Sequence, residues 1–233
     1  MSAHDPPDDR QSAVRAIPAA SVLVLREPFE VLMIRRHARS SFVPNAWVFP
    51  GGATDDDDYG IARDGGDASV AGVMRVTAVR ELFEEAGLWL GAPLLDALQK
   101  RKDLLESRAP FRDLLSEAPV DFSRLVWTSR WITPRALPKR FDTYFFLARA
   151  PEAGIATIEN DEAVDLVWIS PSAALARHSA NEFEMVFPTV KNLEALVGFE
   201  SIDGLIESRR GAEIDAIEPL IVGEGEGKRI VLP

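Results

Sequence analysis

Apolar residues follow two patterns along the chain, and together they predict both strands and helices. Short apolar runs bounded by Gly, Pro or Asp are typical of strands, and they cover residues 19–25, 30–34, 47–49, 125–132, 143–148 and 166–169. Apolar spacings of three and four residues predict helices, and they occur at 68–86, within 94–117 with a break at Pro110, after Pro171, and at 189–196 and 202–209. Residues 221–222 and 229–232 predict a closing hairpin. The local pattern alone indicates a mixed α and β protein.

The predicted helix at 68–86 has one side that is suited to a core. Its apolar stripe has spacings of three, four and three residues and consists of Val76, Val79, Phe83 and Ala86. We expect Asp67 to cap the first turn and Gly87 to end the helix in the left-handed conformation. The preceding residues 54–67 are rich in Asp and Gly, which predicts a loop.

The composition is that of an acidic globular domain without thiol chemistry. The 233 residues are 46% hydrophobic, which suffices for one core. The chain has no Cys, which excludes disulfides, thiolate metal sites and a cysteine nucleophile. Its net charge of −11 argues against a general nucleic-acid binder. Residues 1–15 lack the apolar segment of a signal peptide, so we expect a disordered tail at 1–15, one domain at 16–233 and a cytoplasmic location.

An acidic cluster follows Arg80 on another side of the same predicted helix. Glu81 and Glu85 are four residues apart, and Glu81 and Glu84 three, so each pair shares one face of the helix. Like charges at these spacings repel each other and destabilise a helix unless a cation neutralises them. Because carboxylate oxygens suit Mg²⁺ or Mn²⁺, the cluster predicts a divalent metal site. The alternative is a solvated acidic surface.

Residues 80–88, together with the Phe-Pro-Gly-Gly turn at 49–52, resemble the Nudix box of the Nudix hydrolases. The resemblance implies the Nudix fold, an α/β/α sandwich of α+β class with a mixed sheet between helices. It also implies hydrolysis of a phosphoanhydride bond with Mg²⁺ or Mn²⁺ as cofactor. The implied metal ligands are three carboxylates and one backbone carbonyl, those of Glu81, Glu84, Glu85 and Gly51. Arg80 cannot bind a cation, and its expected role is to orient a neighbouring glutamate.

The first half of the motif departs from the common Nudix box. Arg80 follows Gly52 by 28 positions, fourteen more than in the common box, so residues at about 54–67 belong to an insertion. The common box has a glutamate eight residues before the arginine, where this chain has Gly72. The candidates to replace it beside the arginine are Asp56, Asp58 and Asp67. The sequence leaves all three open.

An interrupted box also occurs in the Nudix subfamily that includes the peroxisomal coenzyme A diphosphatase. Further stretches that are similar to this group lie at residues 47–52, 131–134, 140–148 and 187–189. We therefore expect coenzyme A or acyl-coenzyme A as the substrate. One alternative is the same hydrolysis of ADP-ribose, a dinucleotide or a nucleoside triphosphate. Another is a Nudix-fold regulator that binds a ligand without turnover, although such modules usually lose box glutamates that this chain keeps.

Several charged residues outside the box are candidates for catalysis and substrate binding. Glu162 precedes the strand at 166–169, where the resemblance implies a further carboxylate that binds a second metal or acts as general base. Glu81 and Glu84 are the alternatives for the base. Because neighbouring residues of a strand alternate in direction, one of Arg35 and Arg36 is expected to point away from the site. The arginines favoured for the substrate phosphates are Arg36, Arg39 and Arg140.

The expected partner is a small nucleotide-derived molecule, and neither nucleic acid nor a membrane is expected. Dimers are common in the family that the chain resembles, so a homodimer is one state that the sequence allows. We expect helical elaborations of the domain at about 94–117 and 189–210. We also expect that removal of residues 55–66 changes substrate preference more than metal binding.

Overall fold

The structure, a computed structural model, describes residues 14–40, 43–159, 162–223 and 225–233. Residues 1–13, most of the predicted tail, lie outside this part of the chain. The strands are β1 (Ile17–Arg26), β2 (Glu30–Arg36), β3 (Trp47–Val48), β4 (Gly51–Ala53), β5 (Val126–Ile132), β6 (Phe141–Arg149), β7 (Ala163–Ile169), β8 (Ala216–Ile217), β9 (Leu220–Val222) and β10 (Arg229–Val231). The α-helices are α1 (Asp56–Asp64), α2 (Val70–Ala86), α3 (Ala97–Leu105), α4 (Phe111–Glu117), α5 (Pro171–Ser179), α6 (Phe187–Glu194) and α7 (Ile202–Arg209). Each predicted strand and helix is present, with its ends shifted by a few residues.

A mixed sheet of eight strands forms the centre of the molecule. Six of its strands follow the order β3-β2-β1-β6-β5-β8, while β4 also pairs with β1 and β7 also pairs with β2. The pairs β1–β6 and β5–β8 are parallel, and the other pairs are antiparallel. Strands β9 and β10 form a separate antiparallel hairpin, which confirms the prediction.

Alternate residues of β1 enter two different cores on opposite faces of the sheet. The core that contains Val22 and Val24 also contains the inner side of α2. The core that contains Leu23 and Leu25 also contains buried residues of α5, α6 and α7. Helices therefore cover both faces of a mixed sheet, which confirms the predicted α/β/α sandwich of α+β class.

Helix α2 begins and ends close to the predicted residues. All four residues of the predicted stripe are buried, namely Val76, Val79, Phe83 and Ala86. Gly87 has the expected left-handed conformation, with a φ of 68°. The prediction of Asp67 as N-cap is wrong, because the hydroxyl of Ser69 accepts the hydrogen bond from the N–H of Gly72 at 3.1 Å. The carboxylate of Asp67 instead accepts hydrogen bonds from Ser69.

The insertion contains a helix where its composition predicts a loop. Helix α1 occupies nine residues, so the loop prediction for 54–67 is wrong over this part. The N–H of Asp55 donates to the carboxylate of Asp58 at 3.0 Å, which satisfies a backbone donor at the start of the helix. The acidic residues of the first turn are favourable at the positive end of a helix. Ile61 and Ala62 pack into the core beside α2, and this packing stabilises a helix too short to be stable alone.

Helices α3 and α4 confirm the predicted helical segment, and Pro110 stands at the N-cap of the second. Arg101 of α3 is buried, and its Nη2 donates to the carbonyl of Glu84 near the end of α2. Helix α3 therefore contacts α2, the helix that carries the acidic cluster. Within the described ranges, no helix is both long enough and apolar enough to span a membrane.

Candidate active site

The Gly-Gly turn lies tightly packed between β1 and α2. Strand β4 pairs with β1, and a Cβ added at Gly51 would lie 2.3 Å from the carbonyl oxygen of Ala20. A Cβ added at Gly52 would lie 2.5 Å from Oε2 of Glu81. Gly51 is therefore required for the close pairing of the strands, and Gly52 for the close approach of a box glutamate.

The three glutamates of α2 lie beside this turn. Glu81 and Glu85 are buried, and Glu84 is partly exposed. The N–H of Gly51 donates to Oε2 of Glu85 at 2.7 Å. Nη1 of Arg80 donates to Oε1 of Glu81 at 2.8 Å and to Oε2 of Glu84 at 3.0 Å. Helical spacing thus places the three carboxylates on one side of α2, and one arginine contacts two of them.

Burial disfavours the negative charge of these carboxylates. It raises the pKa of Glu85 to about 8, although the hydrogen bond from Gly51 and the charge of Arg36 lower this pKa. Burial also raises the pKa of Glu81 well above its ordinary value, and the charge of Glu85 raises it further. The pKa of Glu84 is likewise raised by burial. A cation bound among the three would have the opposite effect, because a nearby positive charge favours ionised carboxylates.

The chemistry of this cluster fits a hard divalent cation. Its donors are carboxylate oxygens, which Mg²⁺ and Mn²⁺ prefer. Among the residues that the structure describes, no three acidic or histidine side chains already converge on a point where an ion would sit. Arg80 contacts Oε1 of Glu81 and Oε2 of Glu84, so an ion bound at the cluster would compete with Arg80 for these two oxygens. The assignment of Glu81, Glu84, Glu85 and the carbonyl of Gly51 as metal ligands stays a prediction.

Arg80 is buried, and all three nitrogens of its guanidinium donate hydrogen bonds. Nε donates to Oδ1 of Asp58 at 3.0 Å, and Nη2 donates to Oδ2 of Asp58 and to the carbonyl of Ala53, both at 2.9 Å. Burial alone would lower the pKa of Arg80, but the hydrogen bonds to Asp58 and the charges of the glutamates raise it above its ordinary value. Arg80 thus links the inserted helix to the box glutamates, and the orienting role expected for it stays a prediction.

The three aspartates considered as partners of Arg80 differ in their positions. Asp58 is fully buried and makes the two-point contact with the guanidinium. Asp56 is exposed on the first turn of α1, and Asp67 bonds to partners near the start of α2. A side chain at Gly72 has no room, since its Cβ would lie 2.1 Å from the carbonyl oxygen of Asp67. No local sequence signal identifies Asp58, which is 22 positions from Arg80.

The box glutamates form part of the wall of a cavity of about 860 Å³. The charged residues of the wall are Arg36, Asp55, Arg80, Glu81, Glu84, Glu85, Lys139 and Glu162. A large apolar part of the wall includes Trp131, Leu137, Phe141, Phe145, Met185 and Phe187. The rings of Trp131 and Phe187 meet edge to face, with their centroids 5.9 Å apart. The sequence did not predict the apolar wall, because its residues come from β5, β6, α6 and the segments beside them, which are far apart in the chain.

Arg36 and Glu162 join the box residues in this cavity. Arg36 lines it from the end of β2, whereas Arg35 lies near Trp47 and Asp165, so the two side chains alternate as predicted. Nε of Arg36 is buried and makes no hydrogen bond to the described residues. The carboxylate of Glu162 is among the charges that raise the pKa of Glu85. The structure therefore brings both predicted residues to the acidic cluster.

The other two arginines favoured for phosphate binding lie outside the cavity wall. Arg140 is buried, and its three nitrogens donate to the carbonyls of Thr133 and Val14 and to the carboxylate of Glu218. These contacts hold its guanidinium within the fold, and its assignment as a phosphate ligand stays a prediction. Arg39 is exposed and lies three residues after the end of β2. It is likewise not placed at the cavity.

Known proteins resemble this chain in both sequence and fold. The model of the NUDIX domain matches residues 15–187. A protein of Caenorhabditis elegans named as a nudix hydrolase is 29% identical over 185 residues, which cover 76% of this chain and 59% of that protein. The human protein named acyl-coenzyme A diphosphatase NUDT19 is 27% identical over 272 residues, covering 89% of this chain and 72% of that protein. The crystal structure of a NUDIX hydrolase from Alicyclobacillus acidocaldarius is 26% identical, with a TM-score of 0.76, and the match covers 85% of this chain and 99% of that chain.

These matches extend well beyond the box. The family model covers the glycine turn, the insertion and all three box glutamates, and it reaches the start of α6. The chain spans 59% and 62% of the lengths of two of the curated relatives it matches, in the worm and in Xenopus laevis. The solved structure agrees with the sandwich described above. The chain therefore belongs to the NUDIX domain family, as its box predicted.

Proposed function

We propose that the chain is a metal-dependent Nudix diphosphatase that hydrolyses the phosphoanhydride bond of coenzyme A or acyl-coenzyme A. The observation that carries the proposal is the position of Glu81, Glu84 and Glu85 in the wall of one cavity of about 860 Å³. Membership of the NUDIX domain family and the names of the relatives support hydrolysis of this kind of bond. The retention of all three glutamates argues against a regulator without turnover.

The charged groups of the cavity have complementary roles in such a hydrolysis. The box glutamates and the carbonyl of Gly51 would hold Mg²⁺ or Mn²⁺, which offsets the charge of the diphosphate and acidifies water. Arg36, which lines the cavity from the end of β2, donates to a phosphate oxygen. Glu162 accepts a proton from the attacking water, and Glu81 and Glu84 are the alternatives for this base.

The cavity wall suits a substrate with one charged part and one apolar part. The diphosphate requires the charged residues, while the apolar residues of β5, β6 and α6 suit a pantetheine arm or an acyl chain. In the proposed reaction, water adds to one phosphorus of coenzyme A and the bond from that phosphorus to the bridging oxygen breaks. The products are 4′-phosphopantetheine and adenosine 3′,5′-bisphosphate. The name of the human relative supports this class of substrate.

Mass spectrometry of the products formed from coenzyme A, Mn²⁺ and purified protein tests the proposal. We expect both products from the unaltered chain. Glu85→Gln keeps the shape of the side chain but removes its charge, so turnover should fall about 100-fold or more. Glu213→Gln, at an exposed position outside the cavity wall, is the matched control and should leave turnover unchanged.

The other outcomes would separate the parts of the proposal. Full activity of Glu85→Gln would contradict the metal assignment. If ADP-ribose or a dinucleotide is cleaved but coenzyme A is not, the assignment as a hydrolase stands and the assignment of coenzyme A as substrate is wrong. Ligand binding without cleavage of any of these molecules would favour the regulator.

A further inference from the structure

We propose that Asp58 is a positioning residue of the active site, which acts through Arg80 on the carboxylates of Glu81 and Glu84. The inference rests on the proposed function, because it concerns the metal site to which those carboxylates are assigned. Asp58 is not part of the cavity wall, whereas the other three residues are. An effect of Asp58 on an ion or a substrate is therefore indirect, and Arg80 is the charged residue of the cavity wall that its carboxylate contacts at two points.

The contact between Asp58 and Arg80 fixes the direction of the guanidinium. Oδ1 of Asp58 accepts from Nε at 3.0 Å and Oδ2 accepts from Nη2 at 2.9 Å, so a pair of hydrogen bonds holds the guanidinium plane. Nη1 is the nitrogen left to meet Glu81 at 2.8 Å and Glu84 at 3.0 Å. Because Asp58 holds the guanidinium on one side, Arg80 attracts Glu81 and Glu84 less strongly than it would without this partner.

Asp58 is itself held firmly in its position. Its side chain has no exposed surface. Its Oδ2 also accepts hydrogen bonds from Oγ1 of Thr77 at 2.9 Å and from the N–H of Asp55 at 3.0 Å. A buried carboxylate with this many donors cannot easily move, so Arg80 has a rigid partner.

Neighbouring acidic groups cannot replace Asp58 in this role. The carboxylate of Asp55 lies 3.8 Å from Nη1 of Arg80, and its side chain is 70% exposed. Such an exposed pair contributes little and does not fix a geometry. Gly72 cannot carry a side chain because of the close carbonyl of Asp67. The inserted helix α1 is therefore the element that supplies the buried counter-charge.

Removal of the Asp58 charge would redirect Arg80 toward the box. A buried cation that loses one partner interacts more strongly with those that remain. For Arg80 these are Glu81 and Glu84, which would then be less available to a metal ion. The inference therefore predicts a weaker affinity for metal, which a higher metal concentration overcomes.

Titration calorimetry of Mn²⁺ binding to the full 233-residue chain, without substrate, tests this role. Asp58→Asn should weaken Mn²⁺ binding by about tenfold to 100-fold. Asp57→Asn, at an exposed position of the same helix, is the matched control and should bind as the unaltered chain does. In activity assays, excess Mn²⁺ should restore most of the kcat of Asp58→Asn, which a purely structural defect would not allow.

A double variant shows whether the effect passes through Arg80. If it does, Asp58→Asn combined with Arg80→Gln should bind Mn²⁺ within about twofold of Arg80→Gln alone. This double variant has no unpaired buried charge at the contact, so it provides the comparison even where Asp58→Asn does not fold. Unchanged Mn²⁺ affinity in folded Asp58→Asn would overturn the inference, and so would a further large loss in the double variant.

These binding measurements separate the inference from the proposed substrate. If the variants show the expected pattern but coenzyme A is not cleaved, the substrate assignment fails and the role of Asp58 stands. If coenzyme A is cleaved but Asp58→Asn binds Mn²⁺ normally, the proposed function stands and the role of Asp58 is wrong.

Discussion

Single residues at the site are held by close contacts that the chemistry of each side chain explains. Arg80 has a partner for each guanidinium nitrogen, and Glu85 accepts the N–H of Gly51. Gly52 leaves room for the carboxylate of Glu81. Local sequence reasoning identified the box residues and Gly51, but it could not choose the partner of Arg80. That partner is set by packing between α1 and α2.

Substitution Gly52→Ala should damage catalysis more than stability. The new Cβ would lie 2.5 Å from Oε2 of Glu81, so the carboxylate or the turn must move. A displacement of this size at a metal ligand should lower kcat/KM by about tenfold to 100-fold. Gly227→Ala is the control, because a Cβ there meets no atom within 4 Å. Equal kcat/KM values for the two variants would show that the close approach does not matter.

Metal binding should strengthen as pH rises toward 8. Burial raises the pKa of Glu85 to about 8 from an ordinary value of 4.5, and a protonated carboxyl is a poor ligand. In the metal-free protein, the raised pKa of Glu85 makes the fold more stable at low pH. This contribution to the free energy of unfolding is fully present below about pH 4.5 and is lost as pH rises through about 8. The increase in Tm caused by Mn²⁺ should therefore be larger at pH 8.5 than at pH 6. A pH-independent increase, or the same pH dependence in Glu85→Gln, would contradict this origin.

At the scale of secondary structure elements, the insertion is an integral part of the site. Composition predicted a loop at 54–67, but α1 forms because Ile61 and Ala62 are buried against α2 and the first turn is capped. Short helices depend on such tertiary contacts. The helices with a long apolar stripe or a clear terminal residue, such as α2 before Gly87, were predicted close to their observed ends.

Removal of residues 55–66 should therefore impair metal binding as well as substrate preference, contrary to the expectation from the sequence. The deletion removes Asp58 together with the buried part of α1, so Arg80 loses its two-point contact. We expect weaker Mn²⁺ binding and a lower Tm, measured by calorimetry and by thermal unfolding. The double substitution of the exposed Asp56 and Asp57 by Asn keeps the helix and its buried residues, and it is the matched control. Normal Mn²⁺ binding by the deletion variant would restore the earlier expectation.

At the scale of the whole molecule, the cavity is assembled from both layers of the sandwich. Helix α2 supplies the carboxylates, while α6 supplies Phe187 from the opposite face of the sheet. Strands β5 and β6 contribute the apolar residues between them. The charged and apolar parts of the wall therefore depend on elements that are far apart in the chain.

Substitution Phe187→Ala should weaken substrate binding without affecting metal binding. The ring forms part of the apolar wall and contacts Trp131 edge to face. Its loss should raise the KM for an acyl-coenzyme A by about tenfold, with a smaller effect on ADP-ribose. Mn²⁺ affinity should not change, and Val197→Ala, at a side chain that is 52% exposed, is the control. An equal rise in KM for both substrates would show that the apolar wall does not recognise the acyl part.

The sequence by itself determined the features that depend on neighbours along the chain. The spacing of Glu81, Glu84 and Glu85 on one helix follows from helical geometry. The helix end at Gly87 follows from the left-handed conformation that glycine adopts easily. The family followed from the same short motif.

Only the tertiary structure decided which distant groups meet. Asp58 contacts Arg80 across 22 positions of the chain, and Arg140 contacts Glu218 across 78 positions. Neither contact has a local signal, because charged residues of both signs are frequent along this chain. Packing of the layers brings one pair together beside the box and holds the other within the fold. The physical reason is that long-range contacts depend on the folding of the whole chain, whereas helical spacing depends on a few adjacent residues.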